Sequence, residues 1–186
     1  MSDYRRYFVP GGMYFFTVVT YNRQPILTTR QGREFLRGAI RMVAGKRSFE
    51  VFATVLLSDH WHLVMQLPPS DTNYSIRMKQ VKEEFTRNWL DAGLPEARVT
   101  KSQRARGERG IWQPRFWEHA VADEFDLESC VDYIHWNPRK HNLVKRVQDY
   151  PWSSFRRFVG EGQYELDWGG TEPNTIVRRS DWGEPS

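Results

Sequence analysis

At 186 residues the chain is long enough for one domain with a real core and too short for two comfortable ones. Cys130 is its single cysteine, which excludes an internal disulfide framework; no apolar run approaches the roughly 20 residues that cross a bilayer, and Met1 to Tyr7 leads into Val9-Pro10-Gly11-Gly12 rather than a signal core, so a reducing, cytoplasmic setting is expected. The formal charge of +4 is uneven: residues 161–186 set Arg178 and Arg179 against six acids, a net of −4, leaving +8 on residues 1–160 and a body suited to a polyanionic partner.

Met13 to Thr20 follows a Pro-Gly-Gly break and is dense in aromatic and β-branched residues, which predicts a first, central strand. From about Thr29 to Gly45, Leu36, Ala39, Ile40 and Val43 recur at helical spacing, with Gly45 and Lys46 as the stop. Phe49 to Leu57 and His60 to Leu67 are strand-like runs parted by Ser58-Asp59, the spacing of a tight hairpin. A second helix over about 74–91 aligns Met78, Val81, Phe85 and Trp89 on one stripe. Ala92 to Gly110 turns polar and basic with no apolar period and reads as a mobile loop near nucleic acid. Trp112 to Ala122 resembles a last strand, entered through Gln113-Pro114 and therefore at a sheet edge at its start. Asp123 to Asn137 reads as a third helix stopped by Pro138.

That order predicts an α+β fold, a ferredoxin-like split β-α-β antiparallel sheet with one helix added after it. Residues 1–158 are expected to form the domain, and the acidic, Gly- and Pro-bearing residues 159–186 a tail that wraps it.

Strand alternation places His60 and His62 on one face and Trp61, Leu63, Met65 and Leu67 on the other, so the histidine face is available as the floor of an open cleft. Two such imidazoles can grip one metal ion. Tyr133 and Asn137, four residues apart, share a helix face away from the stripe of Leu127, Val131 and Ile134, which sets a hydroxyl beside an amide oxygen. Two imidazoles with an amide oxygen suit Mg²⁺ or Mn²⁺ better than zinc, and a phenol beside them can attack a metal-held phosphodiester. Each signal also has a plainer reading: histidines satisfied in the core or at the surface, a packed tyrosine, and an asparagine that merely precedes proline.

The stretches Leu-Ser-Asp-His-Trp-His-Leu-Val-Met-Gln-Leu-Pro at 57–68, Trp-Gln-Pro-Arg-Phe-Trp-Glu-His at 112–119 and Asp-Tyr-Ile-His-Trp-Asn-Pro-Arg-Lys-His-Asn-Leu-Val at 132–144 resemble the REP-associated tyrosine transposases, HUH single-strand nucleases related to single-tyrosine insertion-sequence enzymes. The opening Tyr4-Arg5-Arg6-Tyr7 and Gly11-Gly12 match as well, so the likeness runs over roughly residues 3–158. It implies the HUH nuclease fold, with His60 and His62 as paired metal ligands, Asn137 as the third and Tyr133 as the nucleophile on the added helix. It further implies a Mg²⁺- or Mn²⁺-dependent endonuclease and strand transferase that cuts single-stranded DNA at REP-type palindromic hairpins, with a tetranucleotide 5′ to the hairpin, through a 5′-phosphotyrosine intermediate. A nucleoid-associated monomer that completes its site within one chain is expected.

Three departures stand out: Ser58 lies where a proline is often found, Arg139 replaces an apolar residue, and Asn142 replaces a glycine whose left-handed conformation asparagine tolerates. Arg5, Arg6, Arg115, Lys140 and His141 are the candidate DNA contacts by their places in these motifs. No base for the phenol is evident; the metal or Lys140 would ease its ionisation. Two rivals remain at this stage, a non-catalytic ferredoxin-like module that binds single strands and a phosphoesterase whose metal-bound water attacks.

Overall fold

The computed structural model describes residues 8–177 and 182–184, so Arg5 and Arg6 lie outside the described residues. The strands β1 (Met13–Val19), β2 (Glu50–Leu56), β3 (His60–Gln66) and β4 (Trp117–Ala120) form one antiparallel sheet in the order β2-β3-β1-β4. The helices α1 (Arg30–Lys46) and α2 (Tyr74–Asp91) connect β1 to β2 and β3 to β4, which is the ferredoxin-like arrangement. The α+β expectation holds.

Alternation divides the sheet between two cores. Tyr14, Phe16, Val18, Trp61, Leu63 and Met65 pack beneath α1 and α2, while Phe15, Ala53, Val55 and Val64 point the other way, toward α4 (Glu124–Lys140). The second face is therefore covered. His60 and His62 are buried rather than lining an open floor, because α4 and the C-terminal segment lie over them.

Local chemistry accounts for the helix ends. The Thr29 hydroxyl accepts the Gly32 amide at the start of α1, and the Asp123 carboxylate does the same for Asp126 at the start of α4. Helix α4 does not stop at Asn137; it runs through Pro138 to Lys140. The proline lies in the last turn, and the turns around it close by His141 N–H to Asn137 O, Leu143 N–H to Pro138 O and Asn142 N–H to Arg139 O. With Asn142 at φ +55° this is a Schellman cap, so the asparagine takes the left-handed position expected of it. The extra turn keeps Lys140 on the Tyr133 side of the helix.

Two further expectations are corrected. Residues 92–110 hold a short helix, α3 (Lys101–Ala105), closed by a Thr100–Gln103 capping box, and Glu96 binds both Arg104 and Arg109. Local capping and ion pairs organise this segment where no apolar period marks it. The last strand is shorter than predicted, since Trp112 makes only an isolated bridge to Thr20 and regular pairing begins at Trp117, after Pro114 has withheld an amide donor.

Beyond α4, α5 (Phe155–Gly160) crosses the expected domain boundary at 158, and α6 (Asn174–Val177) packs against α4. Asp132 anchors this return: the Tyr164 hydroxyl donates to its Oδ1 at 2.5 Å and Thr175 donates to its Oδ2.

Candidate active site

Register builds one wall of the site. His62 pairs with Thr17 on β1 and Val55 on β2, and His60 pairs with Val19, so both imidazoles rise from the central strands toward α4. The Thr17 hydroxyl donates to the Trp182 carbonyl at 2.6 Å, which leaves its oxygen to accept from His62 Nδ1 at 2.9 Å. That bond fixes the tautomer and turns the His62 Nε2 lone pair inward. His60 is set the same way, since its Nδ1 lies 2.7 Å from the Asp59 carboxylate, itself held by Arg23 Nε at 2.8 Å. His60 Nε2 then faces inward, buried and with no hydrogen-bond partner among the described residues. Burial pushes His62 down to about 4, whereas His60, though burial opposes its charge, is held above the ordinary histidine value by Asp59 and Glu184.

Helix α4 is the other wall. Tyr133, Asn137, Lys140 and His141 recur at i, i+4, i+7 and i+8 and so share one face. The Tyr133 ring is 1% exposed, stacked beneath Trp182 at 4.0 Å and 6°, and edge-on to His62 with centroids 5.3 Å apart. Lys140 Nζ donates to its phenolic oxygen at 2.8 Å. Tyr133 is thus buried yet joined to the histidines, because the return of the chain adds a roof that the helix's own periodicity does not announce.

Between the walls stands Glu184. Its Oε1 accepts from the Tyr133 hydroxyl and from Asn137 Nδ2 at 2.7 Å, and lies 2.9 Å from His62 Nε2 and 3.8 Å from His60 Nε2. Its Oε2 accepts from Lys140 Nζ at 2.7 Å and lies 3.4 Å from His141 Nε2. Burial opposes this charge, yet the three imidazoles hold the carboxyl well below the usual carboxylate range. Gly183 delivers it: at φ +66° the backbone runs against the Trp117 ring, where an added Cβ would lie 2.2 Å from Cγ.

The site also has the makings of a cation centre. His60 Nε2, Asn137 Oδ1 and His141 Nε2 are buried polar atoms without hydrogen-bond partners among the described residues, and ligand atoms of His60, His141 and Glu184 lie within 4.8 Å of one another. The inward lone pair of His62 meets a carboxylate oxygen with no proton between them unless the imidazole is charged, which its burial opposes. Converging acceptors are what a divalent ion resolves.

The sequence model of the family described as "Transposase IS200 like" matches residues 9–137. This chain belongs to that family. A REP-associated tyrosine transposase of Escherichia coli (strain K12) is 43% identical over 170 residues, which cover 91% of this chain and 92% of the relative. A Haemophilus influenzae protein assigned to the same group is 45% identical over 172 residues, 91% of this chain and 94% of its own. A solved REP-associated tyrosine transposase bound to a REP hairpin shares 40% identity with a TM-score of 0.75 across 94% of both chains. The protein is a tyrosine transposase of the REP-associated group.

In this transposase the four residues expected to do the chemistry, His60, His62, Tyr133 and Asn137, meet around one point within a single chain. Of the expected DNA contacts, Lys140 and His141 face that same point, and Arg115 is exposed beside a cleft that Thr17, Trp117 and Glu184 also line. Asp59, Thr17, Trp182 and Glu184 are site residues that sequence reasoning missed. Asp59 had a local signal, a carboxylate adjoining the first histidine. For Glu184 the signal was coarse: an acidic tail on a basic body. The match to the family ends at Asn137, so Lys140, His141 and Glu184 lie beyond it.

Proposed function

We propose that this transposase cleaves and rejoins single-stranded DNA at REP-type hairpins, with Tyr133 as nucleophile and His60, His62 and Asn137 as ligands of Mg²⁺ or Mn²⁺. The observation that carries the reading is the position of the Glu184 carboxylate: an oxyanion already sits where the donors of the phenol, the Asn137 amide and the Lys140 ammonium converge, beside the inward lone pair of His62. A phosphodiester presents the same kind of oxygens to the same donors. The orphaned acceptors of His60 and Asn137 fit a divalent ion, and His141 is well placed to join them. When bound, such an ion would supply Lewis-acid stabilisation of charge on the phosphate.

The rest of the mechanism belongs to the chain. Asp59 and Thr17 hold the two imidazoles in the tautomers that leave Nε2 lone pairs facing the site. Stacking on Trp182 and the edge of Phe15 fixes the Tyr133 ring, so the attacking oxygen is positioned before substrate arrives. Lys140 donates to that oxygen, which puts the cation named from the sequence for easing the phenol's ionisation in contact with the attacking atom. Attack on phosphorus forms the tyrosyl ester and releases a 3′-hydroxyl, and a later 3′-hydroxyl reverses the step to join strands. DNA gains the site only by displacing Glu184, so the tail competes with substrate.

The test is to incubate the protein with Mn²⁺ or Mg²⁺ and hairpin-bearing single-stranded DNA and to resolve the products on a denaturing gel. A covalent protein–DNA band that disappears in Tyr133→Phe and in His62→Ala is the expected result. Cleavage that persists in Tyr133→Phe without any adduct would assign the chemistry to water instead.

A further inference from the structure

Helix α4 carries a second set of metal-binding groups on the face that bears the nucleophile. Asp126, Cys130, Tyr133 and Asn137 follow one another at spacings of four, three and four, so one stripe runs from the catalytic pair back toward the start of the helix. Across from it lies β4, where His119 pairs in register with Phe15 and therefore points to the α4 side of the sheet. Ligand atoms of His119, Asp126 and Cys130 all lie within 4.8 Å of one another. This cluster shares no residue with the catalytic centre.

The backbone holds these groups in place. The Ala122 amide donates to Asp126 Oδ2 at 2.9 Å, and the same oxygen faces His119 Nε2 at 2.6 Å. Cys130 is fully buried, whereas the side chains of His119 and Asp126 are 24% and 13% exposed, so the thiol closes the inner end and the other two give an ion its way in. Around a tetrahedral ion, Zn–S of about 2.3 Å and Zn–N or Zn–O of about 2.0–2.2 Å set neighbouring ligand atoms roughly 3.4–3.6 Å apart. The imidazole and the carboxylate need part by only about 1 Å to reach that spacing, within the reach of side-chain rotation. A thiolate beside an imidazole and a carboxylate is a zinc donor set, and its softness disfavours Mg²⁺ and Mn²⁺.

We infer that His119, Asp126 and Cys130 form a second metal site, selective for Zn²⁺, with a water from the open side as the fourth ligand. Loading replaces the hydrogen bond between His119 and Asp126 with a bond from each to the ion, and the Cys130 thiol gives up its proton to solvent. The ion then ties β4 to the first turns of α4. Tyr133 lies on the same helix seven residues after Asp126, about 10 Å along its axis, so the staple fixes the nucleophile's helix against the sheet that carries His62. His60, His62 and Asn137 take no part, and the site stands whether or not the cleavage reading does.

The experiment titrates Co²⁺, whose absorption reports its donors, into reduced, metal-stripped full-length protein without DNA, and then adds Zn²⁺. Wild type is expected to develop a thiolate-to-cobalt charge-transfer band in the near ultraviolet together with the visible bands of a tetrahedral ion. Zn²⁺ should abolish both, following the order of divalent affinities, while a large excess of Mg²⁺ leaves them. The thiolate band should vanish in Cys130→Ser and in His119→Gln and persist in His62→Ala, in which the catalytic pair is broken. No thiolate band in wild type would overturn the site, leaving an ion pair beside a buried thiol. So would a band that survives His119→Gln, since the thiol would then bind without this cluster, or one lost in His62→Ala or displaced by Mg²⁺. Circular dichroism that matches wild type separates a lost ligand from a lost fold. Zn²⁺ should also raise the melting temperature of wild type and of His62→Ala but not of His119→Gln, and equal shifts in all three would count against the assignment.

Discussion

Glu184→Ala should activate the enzyme. In the structure its carboxylate holds Asn137 Nδ2 at 2.7 Å, Lys140 Nζ at 2.7 Å and the Tyr133 hydroxyl, and a phosphate must take those donors away from it. A hydrogen bond to a charged group contributes about 1.5–3 kcal/mol. Lys140 is 35% exposed, so its share is discounted for solvent screening. Taking the amide bond in full and the ammonium in part leaves about 2–3 kcal/mol favouring the occupied site, or roughly 30- to 150-fold in apparent DNA affinity. The assay is adduct formation at DNA concentrations well below saturation, with Glu184→Gln beside Glu184→Ala to separate charge from volume. Rates in the alanine variant are expected to rise by that factor and to converge with wild type once DNA is saturating. A slower rate, with a higher Mn²⁺ requirement, would show that the carboxylate is a required ligand and not a competitor of the phosphate.

Three other perturbations bear on separate parts of the structure. Asp59→Asn removes the carboxylate that orients His60, so the Mn²⁺ concentration giving half-maximal adduct should rise about 10- to 100-fold with DNA binding unchanged; an unaltered metal requirement would exclude the orienting role. Gly183→Ala places a Cβ against Trp117 at a backbone angle that disfavours side chains, and should expel Glu184 and reproduce part of its activation, seen also as faster proteolysis after Val177; a tail as resistant as wild type would count against it. Lys82 carries a pH signature, because burial pushes its ammonium down to about 8. Its folded value lies below the unfolded value of about 10.4, so the unfolded chain binds more protons between the two and this group makes stability rise with pH across that window. Denaturant unfolding should therefore show wild type gaining about 2 kcal/mol on Lys82→Met between pH 8 and pH 10, whereas parallel stability curves would contradict a buried ammonium.

Period-two and period-3.6 patterns, with the Ser58-Asp59 turn as punctuation, were enough to find most strands and helices and to put His60 with His62 and Tyr133 with Asn137, because those pairings are local consequences of strand and helix geometry. Where the sequence misled, a contact that leaves no apolar period had intervened. Helix α4 outlasts Pro138 because the cap around Asn142 satisfies its end, and residues 92–110 are ordered by ion pairs and a capping box with no apolar period to betray them. The burial of Tyr133 and both histidines was hidden for the same reason: the roof over them comes from Trp182 and Glu184, more than forty residues past the tyrosine. Composition placed opposite charge on body and tail, but Coulomb attraction has no direction and names no site. Only the folded chain, with α6 docked on α4 and Gly183 threading past Trp117, set that one carboxylate between the phenol and the imidazoles.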